Sequence, residues 1–208
     1  MKAEKTRFDE MDLSRYDFIN EDEPAFRVEK GLNETVVRII SKEKDEPSWM
    51  LEHRLRSLKT FYKVPLPVWG PNLDELNLDE IITYSRPDSG MNESWESVPE
   101  GIRDAFDRLG IPEAEKEFLG GVGAQFDSEV VYHKVRKEVA GQGVIYCDMK
   151  TALREHEALV KKHFMRLVPP SDHTFAALHG ALWSGGSFVH VPDRKSTRLN
   201  SSHTVISY

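Results

Sequence analysis

Glu46-Pro47-Ser48-Trp49-Met50-Leu51-Glu52-His53-Arg54-Leu55-Arg56-Ser57-Leu58-Lys59-Thr60-Phe61-Tyr62 reads as one amphipathic helix, and it decides the class of the fold. Proline is tolerated in a first helical turn, where the amide it lacks would have no intrahelical acceptor. Met50, Leu51, Arg54, Leu55, Leu58, Phe61 and Tyr62 then recur at helical spacing and continue one face. Upstream, Leu32, Val36, Val37 and Ile40 predict a shorter helix with Asn33 as its cap. Residues 1–30 mix charges and aromatics without a sustained period and read as an extended arm.

Downstream, Pro65, Pro67, Gly70 and Pro71 stop the helix, leaving Val68-Trp69 as an extended segment whose indole is expected to pin the loop to the core. An apolar patch at Leu73, Leu76 and Leu78 precedes Ile81 to Tyr84, which reads as a strand or extended stretch, and Pro87 to Asn92 reads as a disordered insert. Pro99-Glu100 opens a helix with Ile102, Ala105, Phe106 and Leu109 inward and Gly110 as a left-handed stop; Pro112 starts another. Gly120, Gly121 and Gly123 read as a hinge. Ser128 then caps a predicted helix whose Val131, Val135 and Val139 share a face and which ends at Gly141.

Val144 to Cys147 reads as a strand, Asp148 as the cap of a helix through His156, and Leu159, Val160, His163 and Phe164 as a further amphipathic turn or two before Pro169-Pro170. Phe175 to Leu178 is a compact helical turn. Gly185-Gly186-Ser187 leads into a strand over Phe188 to Val191 that Pro192 ends. The residues alone thus predict an acidic, α-rich domain followed by the start of a β region.

The chain has 208 residues, 39% hydrophobic and 30% charged, which fits a globular domain rather than a disordered or fibrous one. Apolar runs are far shorter than the ~20 residues of a membrane span, and no secretory signal opens the sequence, so a cytoplasmic protein is expected. Cys147 is the single cysteine; it excludes an internal disulfide and a metal or cluster site built mainly from this chain's thiolates. Asp193 to Tyr208 carries Arg194, Lys195 and Arg198 against one acid, is rich in serine and threonine, and reads as a foreign tail. The acidic body that remains lacks the clustered basic face of a nucleic-acid binder.

No residue pattern forms a self-sufficient active site. Gly120-Gly121-Val122-Gly123 lacks the Lys-Ser or Lys-Thr ending of a phosphate-binding loop. His156 and His163 lie too far apart along a helix to share a metal, and His133, His173, His179 and His190 show no ligand spacing. Ser184 lacks a nucleophile elbow, and Cys147 sits in an apolar strand where packing explains it. Trp49, Trp69, Trp95 and Trp183 fall in separate elements and read as core. Catalytic, cofactor-binding and metal residues are all expected to be none, and the chain is expected not to be an enzyme.

Several blocks resemble SufB, the scaffold subunit of the Suf iron–sulfur cluster assembly system, within the SufB/SufD family. They are Gly31 to Arg38, Glu46 to Leu55 (with His53 where the family usually has Phe), Pro67 to Pro71, Gly121 to His133 and Gly143 to Cys147. Ala152 to His156, Val168 to Pro170, Phe175 to Leu178 and Trp183 to Pro192 continue the series. The resemblance implies an α+β chain: a mainly helical N-terminal domain over 31–167, then the entrance of a truncated right-handed parallel β-helix over 168–192, with 193–208 outside it. It also implies SufD-like and SufC-like partner subunits, a sulfur-transfer partner, and an iron–sulfur cluster for the full-length family, whose ligands lie outside this chain. On this reading the strand at Phe188 to Val191 is a poorly covered edge, with Phe188 and Trp183 partly exposed. A small independent helical interaction domain and a SufD-type paralogue are the alternatives.

Overall fold

Asn33 begins the first helix: its side chain accepts the Val36 amide at 3.0 Å, satisfying one of the donors a helix start leaves free. The helix, α1, runs Glu34–Glu43, and after a tight connection α2 follows at Ser48–Phe61 with Pro47 before its first turn. The computed structural model describes residues 24–67, 69, 73, 75–88, 90, 92, 94–110, 121–135, 141 and 143–192. Among them are four further α-helices: α3 at Glu100–Leu109, α4 at Met149–Glu155, α5 at Glu157–His163 and α6 at Thr174–Leu182. Gly110 closes α3 at φ 75°, the left-handed conformation that glycine adopts without a Cβ penalty. Asp148 caps α4 by accepting the Thr151 amide at 3.0 Å, and the His173 imidazole caps α6 through Nδ1.

Three antiparallel strand pairs complete the described structure, which is therefore mixed α+β. The strand β1 (Phe26–Arg27) pairs with β2 (Ser85–Arg86), β3 (Gly121–Phe126) with β4 (Glu129–Val135), and β5 (Ile145–Asp148) with β6 (Ser187–His190). The core lies where α2 packs on α6. Leu32, Val37, Leu58 and Ala181 form one buried cluster there, and Met50, Ala152, Leu153, Val160 and Trp183 form another. A third cluster, Val98, Ile102 and Val131, joins α3 to β4.

The largest difference from the sequence reading is the β3–β4 hairpin, which replaces a glycine hinge and a helix capped by Ser128. The valine spacing misleads because residues four apart share a face in a strand as well as in a helix. The run Glu129-Val130-Val131-Tyr132 is rich in β-formers, and Asp127 at φ 52° turns the chain tightly into β4. Val139 and the helix expected from Pro112 lie outside the described residues, as do the tail at 193–208 and most of the arm at 1–30. The described end of that arm supplies β1.

Smaller corrections follow the same logic of tertiary context. Trp69 is 68% exposed and meets only the edge of the His173 ring, so its indole does not pin the loop to the core; Leu109, expected inward, is also exposed. Asn92 is bridged to β4, donating its amide to the Val131 carbonyl and accepting from His133, so the end of the Pro87–Asn92 segment is fixed. Of the two readings of residues 81–84 the extended one applies: Ile81 is extended, the Ile81 and Tyr84 carbonyls accept from the Gly31 and Val28 amides, and the strand itself begins at Ser85. The helical turn at Phe175 is in fact the nine-residue α6. Trp183 is buried at 5% exposure, and β6 is paired with β5, so the edge is less bare than expected, although Val189 remains exposed. The described pairings are antiparallel and include no parallel coil.

His53 sits on α2 with its ring edge-on to Phe164, and burial, helped by Arg56 and Arg54, lowers its pKa from 6.5 to about 4. The folded value lies below the unfolded one, so the neutral ring is accommodated fully above pH ~6.5 and stability is lost as pH falls from there through about 4. Thermal midpoints of the chain and of His53→Phe measured across that window should converge at pH 7 and separate at pH 5, the variant being the more stable. Parallel curves would show that His53 does not contribute to the acid sensitivity.

Candidate functional site

Lys44 and Glu46, on either side of Asp45 in the α1–α2 connection, each anchor a buried ion pair. Lys44 closes α1 and turns its ammonium inward, where Nζ donates to Glu129 Oε1 at 2.9 Å with only 2% of the lysine side chain exposed. The Tyr84 hydroxyl donates to the same oxygen at 2.6 Å. One carboxylate on β4 thus gathers donors from α1 and from the segment before β2. Burial pulls the Lys44 ammonium below its ordinary pKa, with Glu129 opposing, while burial and the bond to Glu129 push the Tyr84 phenol well above its own.

Glu46 holds Arg54. Both carboxylate oxygens accept, from Nε at 2.7 Å and Nη2 at 2.6 Å, in the planar two-pronged geometry that suits guanidinium. Both side chains are fully buried. Arg54 also donates to the carbonyls of Ala181 and Trp183, and its guanidinium lies 4.6 Å from the centre of the Trp183 ring. It therefore satisfies backbone acceptors at the end of α6 and fixes the exit into Ser184-Gly185-Gly186.

Between these anchors opens a cleft of about 400 Å³. Lys44, Arg86, Lys150 and Arg154 line it together with Asp88, Glu129 and Asp148, and Ser184 and Gly185 form part of its wall. Arg86 is partly engaged by Glu43 at 3.7 Å and Arg154 by Glu155 at 2.7 Å. Asp148 is committed to the α4 cap. The cleft combines basic and acidic side chains with a serine and a glycine, a lining that suits polar recognition.

The residues singled out in the sequence are dispersed. His133 packs against the Tyr146 ring at 4.6 Å, His156 lies over Phe188, His163 ends α5 and His173 caps α6. Among the described residues no three His, Cys, Asp or Glu side chains converge as metal ligands. Gly123 lies close to β5 and β6, with the Tyr146 hydroxyl 3.4 Å and Ser187 Oγ 3.7 Å from where a Cβ would stand. Trp183 is buried and Trp49 half-buried in the same Met50 cluster, while Trp95 is half-buried in the Val98 cluster.

Cys147 is half-buried beside Met50 and Trp183, and burial, with Asp148 and Glu155 nearby, pushes its thiol up to about 11. Because the thiolate is the reactive form, labelling by a thiol reagent at pH 7.5 should run about two orders of magnitude slower in the folded chain than in urea. Equal rates would mean an exposed, ordinary thiol.

The Lys44–Glu129–Tyr84 and Glu46–Arg54 networks escaped the sequence reading. Arg54 left a trace, a cation inside the apolar face of α2; Glu129 left none, being 85 residues from Lys44.

The family described as SufBD protein N-terminal region matches residues 44–199. The chain is 52% identical over 187 residues to an iron–sulfur cluster assembly SufBD family protein of Staphylococcus haemolyticus (strain JCSC1435). It is 53% identical over the same length to a protein of that description from Staphylococcus aureus (strain USA300). Each alignment takes in 90% of this chain and 40% of the relative, so the chain spans about two fifths of the length of the curated relatives it matches.

Proposed function

The chain belongs to the SufBD family through that N-terminal region, and from this premise we propose that it forms the N-terminal part of a SufB-type scaffold subunit in cytoplasmic iron–sulfur cluster assembly. The observation that carries this reading is the identity of more than half of the aligned positions over nine tenths of the chain with proteins described as acting in cluster assembly. The block Glu46 to Leu55 and the block Trp183 to Pro192 favour the SufB over the SufD branch by their resemblance.

On this reading residues 24–192 are a folded, non-enzymatic module that supports a cluster-building core and its SufD-like, SufC-like and sulfur-transfer partners. By itself the module is inactive: one thiol supplies too few soft ligands for a cluster that takes four. The test is a transplant. Residues 24–192 replace the corresponding region of the full-length Staphylococcus aureus relative, and the chimera is asked to restore iron–sulfur enzyme activity in cells lacking that relative. Restoration supports the proposal; a soluble chimera that fails overturns it. Anaerobic reconstitution of the chain alone should yield no stoichiometric iron and sulfide, and a cluster lost on Cys147→Ser would overturn the inactive-module reading.

A further inference from the structure

A groove of about 680 Å³ runs between α2 and the connection from α5 to α6, and its charge is opposite to that of the chain. The chain carries a formal charge of −7. The groove is rimmed by Arg56, Lys161 and Arg166 against Glu52 alone. Arg56 and Arg166 make no side-chain hydrogen bond or ion pair among the described residues, and Lys161 only overlies the Trp49 ring at 5.7 Å. Cations in a structural network find carboxylates, as Arg54 and Lys44 do; these have none.

Trp49 and Phe164, partly buried against the Met50 cluster, add apolar surface to the groove. Arg166 also lines a neighbouring hollow of about 420 Å³ that holds Leu167 and Val168. Leu167 is 99% exposed and Val168 54%, adjacent apolar side chains presented together to solvent. They are held out rather than loose: Pro169 and Pro170 fix their own φ, the Asp172 amide donates to the Pro169 carbonyl at 2.9 Å in a tight turn, and His173 then fixes the start of α6. A row of unpartnered cations continuing into two projecting apolar side chains is a two-part recognition surface.

We propose that this surface docks an acidic segment of a partner protein, with carboxylates at Arg56, Lys161 and Arg166 and apolar side chains at Leu167 and Val168. Charge complementarity selects the occupant. The basic rim calls for negative charge and the adjacent Leu167 and Val168 for apolar side chains beside it, a combination that an acidic peptide supplies and the phosphate backbone of a nucleic acid does not. The inference concerns a protein contact and does not rest on cluster chemistry.

The test uses the full chain and a fluorescein-labelled peptide of about ten residues alternating glutamate with leucine and phenylalanine, followed by fluorescence anisotropy. Saturable binding is expected, weakening as salt rises from about 50 to 300 mM. The double variant Arg56→Glu/Arg166→Glu should weaken it by about tenfold or more, and Leu167→Ser by about threefold or more. All three residues are exposed, so the variants should keep the wild-type thermal midpoint, which is measured alongside. A glutamine-for-glutamate peptide should bind as weakly as the double variant binds the acidic one. No binding, unchanged binding by the double variant, unchanged binding by Leu167→Ser, or tighter binding of a single-stranded RNA of similar length would each overturn the proposal.

Discussion

Arg54→Ala is expected to lower the unfolding free energy by about 3–5 kcal/mol, enough to leave a domain of ordinary stability marginal. Three losses coincide. The Glu46 carboxylate, fully buried, would lose its counterion and both hydrogen-bond donors. The carbonyls of Ala181 and Trp183 would lose the donors that reach them at 2.9 and 2.8 Å. The Trp183 ring would lose the guanidinium stacked over it. A buried pair replaced as a pair is a different matter, because the cost of dehydrating both charges disappears together. Arg54→Met/Glu46→Met should therefore be more stable than Arg54→Met alone by about 1–3 kcal/mol, and still fall short of wild type because the two carbonyls remain unpaired. Urea unfolding of the three variants reads this directly. A loss below about 1 kcal/mol for Arg54→Ala, or a double variant no better than the single, would mean that water reaches the pair.

The contrast between α2 and the β3–β4 hairpin explains how much of this architecture is legible in the sequence. Local signals act within a turn or two: the proline before α2, the Asn33 and Asp148 caps, and the left-handed Gly110 are all found where the pattern places them. The hairpin was misread because valines at 131 and 135 satisfy two periods at once, and what decides between them is the burial of Val131 beneath Val98 and Ile102. That contact is set by tertiary structure. The same is true of the candidate site: Glu129 follows the Ser128 cap of an expected helix and carries no local signal of its role until Lys44 and Tyr84 converge on it from distant parts of the chain. Trp69 shows the converse, an aromatic in a proline-rich loop that reads as an anchor and lies mostly in solvent. The projecting Leu167 and Val168 likewise follow no sequence period, and their exposure is set by tertiary structure.

Gly180→Ala is the substitution expected to disturb the α2–α6 contact most for its size. A Cβ at position 180 would stand 2.6 Å from Ser57 Oγ and 2.9 Å from Ser57 Cβ, with Met165 Sδ at 3.3 Å. Neither serine atom can swing clear at little cost, for Cβ is fixed to the α2 backbone and Oγ donates to the His53 carbonyl at 2.8 Å. The helices must separate or tilt, and overpacking of this kind costs about 1–3 kcal/mol. Alanine recovers up to ~1 kcal/mol in helix propensity over glycine, so the net loss should be about 1–2 kcal/mol, rising further for Gly180→Val. Gly185→Ala is the control. Its Cβ would fall even closer, 2.0 Å, to Gln125 Oε1, but that atom is the far end of a flexible side chain and can rotate away. If proximity alone decided stability, Gly185→Ala would be the worse variant; if the rigidity of the neighbour decides it, Gly180→Ala will be. Ser57→Gly combined with Gly180→Ala removes the obstructing atoms and should restore the helix spacing and the parent stability, because the propensity lost on replacing serine by glycine in α2, about 0.5 kcal/mol, is offset by the alanine in α6. Unfolding midpoints for the four proteins order these effects, and a Gly180→Ala chain as stable as the parent would show that α2 and α6 are not in the close contact described.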